Sequence, residues 1–150
     1  VVDKEDGDKA IAALRENGVA YQDDYIKWCV SNEAHDPSFA RSIDRFLKGL
    51  PRCTAVVCCN YMIYQLVRQV LEKQHKRVPE DCSLVCFDYS RDDWEAEGVT
   101  CSVHQGYRIG QEVASRLTQM IRNRDCDELG YPCGLSTEIY VGRSGGPAIE

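Results

Sequence analysis

Two patterns of apolar and polar residues alternate along the chain, one typical of helices and the other typical of buried strands. Apolar residues that recur every three or four positions predict helices at 3–17, 37–50, 61–74 and 107–121. Short apolar runs predict strands at 25–30, 54–59, 83–87, 99–103 and 137–141. The second and third of these runs are apolar at nearly every position, which favours strands that are buried on both faces.

The order of these elements predicts the fold class. Strands that alternate with helices of about 10–15 residues are typical of an α/β fold, in which a parallel sheet carries helices on both faces. Ligands of such folds bind outside the carboxyl ends of the strands. Asn60 and Asp88 follow two of the apolar strands directly. We therefore expect both residues to contact a ligand, although Asn60 could instead be a helix N-cap and Asp88 a turn or cap residue.

Charge and apolar content exclude two classes of partner. The net charge is −6 and the basic residues are scattered, so we do not expect this chain to bind nucleic acid by itself. No apolar run approaches the roughly 20 residues that a membrane span needs, and the first residues do not show a basic region followed by an apolar block. The first residue is not Met, so we expect the protein to extend upstream.

The nine cysteines could form a disulfide framework or a zinc site, or they could be free thiols. Their number is odd, and no Cys-x-x-Cys pair occurs. Several of them stand inside apolar runs, where a small apolar residue would serve equally well. We therefore predict free, mostly buried thiols in a reducing cytoplasm, with no metal and no cofactor.

Four segments resemble the lactose/galactose-repressor family of bacterial transcription regulators. They are residues 54–60, the segment RVPEDCSLVCFD at 77–88, residues 99–105 followed by Gly110, and Arg143-Ser144. The resemblance runs from about residue 52 to residue 144, with the family's order and spacing. It implies a DNA-binding head and two Rossmann-like lobes of the type I periplasmic-binding-protein fold, which close on an effector. Residues 1–150 would form the effector-binding and dimerisation lobe, whereas the helix at 107–121 would belong to the other lobe.

The resemblance also implies the effector contacts, a sugar being the expected effector. Asn60 would donate to and accept from its hydroxyls, and Asp88 would accept two hydroxyl protons. Lys4 stands where the family often has Arg, His35 lies in a pocket-wall segment, and Gln105 matches a hinge residue. Each of these three could instead be an ordinary exposed side chain.

Two further features depend on the same resemblance. The family's Asn-Asp and Asp-Asp pairs are replaced by Asn60-Tyr61 and Asp88-Tyr89, so the effector or its geometry could differ from the common cases. The helix at 61–74 is apolar around more than one stripe, and in the family it lies at the dimer interface. The resemblance therefore implies a homodimer through this helix, unless the second stripe packs against the other lobe.

We expect a regulator and not an enzyme. Walker and Gly-x-Gly-x-x-Gly motifs are absent from the sequence, and Asp88 with His104 lacks an accompanying nucleophile. The alternatives are an extracytoplasmic sugar-binding protein of a transporter, since the same lobes occur there, and a purely structural dimerisation domain. DNA would be bound only through a domain outside this chain, and no membrane partner is expected.

Overall fold

A computed structural model describes residues 4–29, 36–89, 94–103, 105–123 and 137–147 of the chain. The helices are α1 (Lys4–Glu16), α2 (Pro37–Lys48), α3 (Tyr61–Lys73), α4 (Trp94–Glu97) and α5 (Gly106–Asn123). The strands are β1 (Ala55–Asn60), β2 (Ser83–Tyr89), β3 (Thr100–Val103) and β4 (Glu138–Tyr140). All four predicted helices form. No described helix is long and apolar enough to cross a membrane.

The strand predicted at 25–30 is wrong over residues 25–29, the part of it that the structure describes. The structure has a 3₁₀ turn at Asp23–Tyr25 and a single bridge residue, Trp28. A strand is stabilised by a ladder of bonds to a neighbour, and among residues 25–29 only Trp28 makes a bridge. The short helix α4 is also new, because the sequence predicts only irregular structure between 89 and 98.

The four strands form one sheet in the order β1-β2-β3-β4. β1, β2 and β3 are parallel, and β4 pairs antiparallel to β3. The register places Val56 opposite Leu84 and Cys58 opposite Cys86. The predicted α/β class with a mainly parallel sheet is therefore confirmed, with β4 as an antiparallel exception.

The core lies on one face of this sheet, where α3 packs on β1 and β2 and α2 packs on α3. Successive strand residues point to opposite faces, and Val56, Cys58, Leu84 and Cys86 point into this core. On the opposite face Val57 is 51% exposed and Phe87 is 55% exposed. The prediction that both strands are buried on both faces is thus wrong for this chain, because the described helix packing covers only the α3 side.

The segment after β4 is tied to the sheet through Ser144. The Ser144 hydroxyl donates to the carbonyl of Leu84 at 2.6 Å and accepts from the backbone N–H of Thr100 at 2.8 Å. The Leu84 N–H donates back to the Ser144 carbonyl at 2.8 Å. Gly142 makes the approach possible, since a Cβ there would lie 2.5 Å from the backbone of Gly98. These bonds give a structural role to Ser144, one of the two residues in the Arg143-Ser144 segment that resembles the repressor family.

A row of thiols crosses the core. Cys58 is the register partner of Cys86, and Cys86 is the partner of Cys101. All three are fully buried. Burial raises the pKa of Cys58 to about 12 and also raises the pKa of Cys86 and of Cys101. Five of the seven described cysteines are buried, as expected from the sequence, and these three behave as small apolar side chains.

Candidate functional site

The carboxyl ends of β1 and β2 bring Asn60 and Asp88 side by side. The two residues are register partners on adjacent parallel strands, and partners in a parallel ladder point to the same face. The structure therefore places together the two polar residues that the sequence analysis puts at the strand ends.

Asn60 serves as the N-cap of α3. Its Oδ1 accepts from the backbone N–H of Ile63 at 3.0 Å. The N-cap role considered for this residue is thus present. An Asn side chain offers two acceptor lone pairs and two donor hydrogens, and capping uses one lone pair. The cap and a ligand contact are therefore compatible, and the cap holds the amide in a defined orientation.

Asp88 has a different environment, because its side chain is exposed at the end of β2. Its backbone carbonyl lies 3.4 Å from Cys86 Sγ, which donates to it. The carboxylate beside the Asn60 amide supplies acceptors next to a donor, an arrangement that suits neighbouring hydroxyl groups of a ligand.

Tyr61 and Tyr89, the two departures from the family pattern, are in contact. Their rings meet edge to face, with centroids 4.7 Å apart and planes at 66°. The Tyr61 hydroxyl lies 3.1 Å from Glu97 Oε2, to which it donates, and accepts from Gln65 Nε2 at 2.8 Å. The pair thus links the start of α3 to the end of β2 and to α4. Sequence reasoning did not predict this contact, although the register of parallel strands brings residues 61 and 89 together once 60 and 88 are paired.

A groove of about 440 Å³ lies along the outer side of α3, beside α4. It is lined by Tyr61, Tyr64, Gln65, Arg68, Gln69, Glu72 and Glu97. Neither Asn60 nor Asp88 lines it. The strand ends, and not this groove, are the candidate effector site, because the paired polar groups lie at the strand ends.

The structure describes only part of the other predicted effector contacts. Gln105 follows β3, whose residue Val103 is paired with Tyr89, so it lies at the same edge of the sheet, one strand further from Asn60. Its Oε1 accepts from Arg108 Nη1 at 2.8 Å. Lys4 is the first residue of α1. The predicted contact of its side chain, and His35, lie outside what the structure describes.

Most of the apolar residues of α3 are buried by other elements of this chain. Ile63, Tyr64, Val67, Val70 and Leu71 are buried against the sheet and α2. Met62 is 41% exposed and Leu66 is half-buried. Only these two members of the predicted second stripe remain for a partner, so the apolar pattern is weaker support for a dimer than it is in the sequence alone.

Residues 142–146, Gly-Arg-Ser-Gly-Gly, match the Gly-x-Ser-x-Gly pattern that surrounds the nucleophile of many hydrolases. The match would count against a regulator if Ser144 were exposed on a strand-to-helix turn. Instead Ser144 is 6% exposed and its hydroxyl is held by two backbone groups. The motif is structural here.

Comparison with known proteins gives two kinds of match. Residues 7–144 match the family described as a periplasmic binding protein-like domain. The fold is similar to that of a LacI family transcriptional regulator from Bifidobacterium animalis subsp. lactis, with 23% identity, a TM-score of 0.71 and coverage of 95% of this chain and 50% of that chain. A search of the curated proteins finds no match.

Two further solved structures are similar. One is a PurR family transcriptional regulator from Vibrio parahaemolyticus, with 18% identity, a TM-score of 0.69 and coverage of 91% of this chain and 48% of that chain. Another is a LacI family transcriptional regulator from Arthrobacter sp. FB24 in complex with lactose, with 17% identity, a TM-score of 0.71 and coverage of 92% and 50%.

The chain spans about half the length of these regulators. At identities below 25% the likeness establishes the fold, whereas the family match extends over most of the sequence. The chain therefore belongs to the periplasmic-binding-protein-like domain family, and it has the fold found in transcriptional regulators of the LacI and PurR families.

Proposed function

We propose that residues 1–150 are the effector-binding and dimerisation lobe of a cytoplasmic transcriptional repressor of the lactose/galactose-repressor type. The effector is a small molecule, a sugar, bound between this lobe and a second one. DNA is contacted through a domain outside this chain. The observation that carries the proposal is the pairing of Asn60 with Asp88 at the carboxyl ends of parallel strands, in a chain of this family.

The chemistry of the pair favours a polyhydroxylated ligand. The exposed Asp88 carboxylate accepts protons from two neighbouring hydroxyls, while the Asn60 amide, oriented by its cap to Ile63, donates to a third oxygen. Lys4, His35 and Gln105 complete this side of the pocket in the proposal. A hydrogen bond to a charged group contributes about 1.5–3 kcal/mol, so Asp88 accounts for a roughly ten- to hundredfold effect on Kd.

Regulation follows from differential affinity. An effector that binds one relative orientation of the two lobes more tightly than another shifts the population toward it. By linkage, the factor by which the effector changes DNA affinity equals the factor by which DNA changes effector affinity. A homodimer, formed in part through Met62 and Leu66 on α3, transmits the change to the DNA-binding domains.

The second candidate is an extracytoplasmic sugar-binding protein of a transporter. It is favoured by the family description itself, which covers periplasmic proteins. Seven free cysteines among the described residues favour the cytoplasmic regulator, since disulfides form and persist in oxidising compartments.

The test uses the full-length protein and a panel of mono- and disaccharides that includes lactose. Thermal shift identifies a binding sugar, and calorimetry then gives its Kd for the wild type and for Asp88→Asn. We expect a ten- to hundredfold loss of affinity in Asp88→Asn. Asp24→Asn, an exposed carboxylate in the 3₁₀ turn, serves as the matched control and should bind like the wild type.

Several outcomes contradict the proposal. Unchanged affinity in Asp88→Asn refutes the site. A sugar that binds tightly but leaves operator-DNA affinity unchanged favours the transporter protein. A protein whose thermal midpoint no sugar moves is better described as a structural dimerisation domain.

A further inference from the structure

Two cysteines meet at the amino ends of β1 and β2, the end of the sheet opposite to the candidate effector site. Cys53 lies two residues before β1, and Cys82 directly precedes β2. The sheet is already bonded at this point, because the N–H of Ser83 donates to the carbonyl of Thr54 at 2.8 Å. The two cysteines are therefore held against each other by the backbone of both strands.

The sulfur atoms lie at the first rung of the ladder. Cys53 Sγ is 3.2 Å from the Ala55 carbonyl oxygen, and Cys82 Sγ is 3.6 Å from the Ser83 carbonyl oxygen. Ala55 and Ser83 are register partners. An interaction between the two thiols is also the largest cause of the opposite changes in their pKa values. The register of Ala55 with Ser83 places Cys53 one position away from the residue opposite Cys82. With strands about 4.8 Å apart and a rise of about 3.3 Å per residue, the two Cα atoms are roughly 6 Å apart, within the range of roughly 4.4–6.8 Å that a disulfide requires.

The two sulfurs differ in exposure and in acidity. Cys53 is half-buried, whereas Cys82 is 1% exposed. The interaction with Cys82 lowers the pKa of Cys53, with a smaller contribution from the charge of Lys76, and the same interaction raises the pKa of Cys82. The more accessible sulfur is thus the one that ionises more readily, and the buried Cys82 thiol, whose pKa is raised, lies behind it. The fully buried row of Cys58, Cys86 and Cys101 has no such accessible member.

We propose that Cys53 and Cys82 form a redox-active dithiol that reacts with low-molecular-weight disulfides such as oxidised glutathione. The Cys53 thiolate attacks one sulfur of the small disulfide, forms a mixed disulfide, and displaces the other half as a thiolate. Cys82 gives its proton to solvent or to that thiolate and attacks the Cys53 sulfur, releasing the second half. Two protein thiols are oxidised, and one small disulfide is reduced to two thiols.

This site is independent of the proposed effector function. The new bond would close a loop that contains all of β1 and α3, while Asn60 and Asp88 lie at the far end of the same strands. Oxidation would therefore cross-link the starts of the two strands without occupying the effector site. In a reducing compartment the pair stays reduced, and it is oxidised when small disulfides accumulate.

The reaction rate distinguishes this pair from ordinary cysteines only modestly. If the pKa of Cys53 falls to about 6, its thiolate fraction at pH 7 is roughly thirtyfold that of a free cysteine with a pKa near 8.5. Nucleophilicity falls with pKa, with a Brønsted slope of about 0.4–0.5, which removes about tenfold. The expected advantage is only a few-fold. The intramolecular second step, and not the speed of the first, identifies the site.

The experiment incubates the folded, reduced full-length protein with excess oxidised glutathione and quenches with acid. Glutathione is then removed in acid, and the remaining thiols are alkylated with iodoacetamide in denaturant at mildly alkaline pH. Peptide mapping should show a Cys53–Cys82 disulfide, and intact mass should show the loss of two hydrogens with no glutathione retained. Cys82→Ala should stop at glutathione bound to Cys53. Cys53→Ser should leave Cys82 alkylatable after unfolding.

Cys29→Ser is the matched control, because Cys29 is the other half-buried described cysteine, and it should oxidise like the wild type. The peptide map of the wild-type protein is decisive even if the Cys82 variant fails to fold. If Cys53 and Cys82 both remain alkylatable, or if glutathione is retained on the wild-type protein at Cys53, the proposal is overturned.

Discussion

Replacement of Ser144 by Ala tests whether the segment after β4 is held by the bonds described above. The substitution removes only the hydroxyl, which donates to Leu84 and accepts from Thr100. Ser144 is 6% exposed and Thr100 is 8% exposed, so water does not readily replace the lost partner. The remaining backbone bond from Leu84 to Ser144 is unaffected.

The expected cost follows from these two contacts. A net hydrogen bond contributes about 1 kcal/mol, and a buried donor left without a partner costs about 1–3 kcal/mol. The Thr100 N–H loses its acceptor, whereas the Leu84 carbonyl loses one donor, so we expect a loss of about 2–3 kcal/mol in the free energy of unfolding. For a domain of about 150 residues, 1 kcal/mol corresponds to roughly 2–4 °C, which predicts a melting temperature lower by about 4–12 °C.

Urea denaturation, followed by circular dichroism and fitted to a two-state model, measures this loss. Ser115→Ala is the matched control, because Ser115 is exposed on α5 and Ala favours a helix. It should leave stability unchanged or raise it slightly. If Ser144→Ala lies within about 0.5 kcal/mol of the wild type, a range usual for exposed substitutions, the hydroxyl does not hold this segment.

Three further predictions concern stability. Gly142→Ala places a Cβ 2.5 Å from the Gly98 backbone and should lower the free energy of unfolding, measured by urea denaturation, by about 1–3 kcal/mol. Wild-type stability would show that the segments around Gly142 and Gly98 are not in close contact. Asn60→Ala removes the cap of α3 and should cost about 1 kcal/mol, whereas Asn60→Ser, which can still cap without adding a charge beside Asp88, should retain most of the wild-type stability; equal losses would exclude capping. Arg77 holds the pKa of Asp81 well below its usual range through paired hydrogen bonds. The Arg77–Asp81 contribution is therefore present above the ordinary Asp pKa of about 4 and lost as pH falls through the lower folded value. The gap between the urea midpoints of the wild type and Asp81→Asn should narrow as pH falls from 7 to 2, and a constant gap would contradict the ion pair.

The sequence patterns predict both an element and its packing where the neighbouring elements are among the described residues. α3 and the strands β1 and β2 pack on one another, so their apolar periodicity reflects contacts that form here. The pairing of Asn60 with Asp88 is predictable for the same reason, since parallel strands of known order fix which residues end together. The contact between Tyr61 and Tyr89 follows from the same register, so it could also have been predicted from the sequence.

The features that could not be predicted depend on what covers a surface. Val57 and Phe87 are apolar, as in a strand covered on both faces, yet they are half exposed. An apolar pattern predicts that a face is buried, but it does not identify the element that covers the face. The stripe of α5 is similar, with Val113 60% exposed and Leu117 55% exposed. Ser144 is held by Leu84 and Thr100, which are far from it in sequence. The local Gly-x-Ser-x-Gly spacing therefore does not distinguish it from a nucleophile.

The thiol row in the core gives the sheet its own set of unfolding reporters. Cys58, Cys86 and Cys101 belong to three successive strands and are fully buried, so an alkylating reagent reaches each one only when its strand opens. In native buffer the labelling rate of each cysteine then reports the opening free energy at that strand. Equal rates mean that the three strands open as one cooperative unit. Faster labelling of Cys101 than of Cys58 and Cys86 means that β3 separates first, and the sheet then unfolds from its β4 side inward.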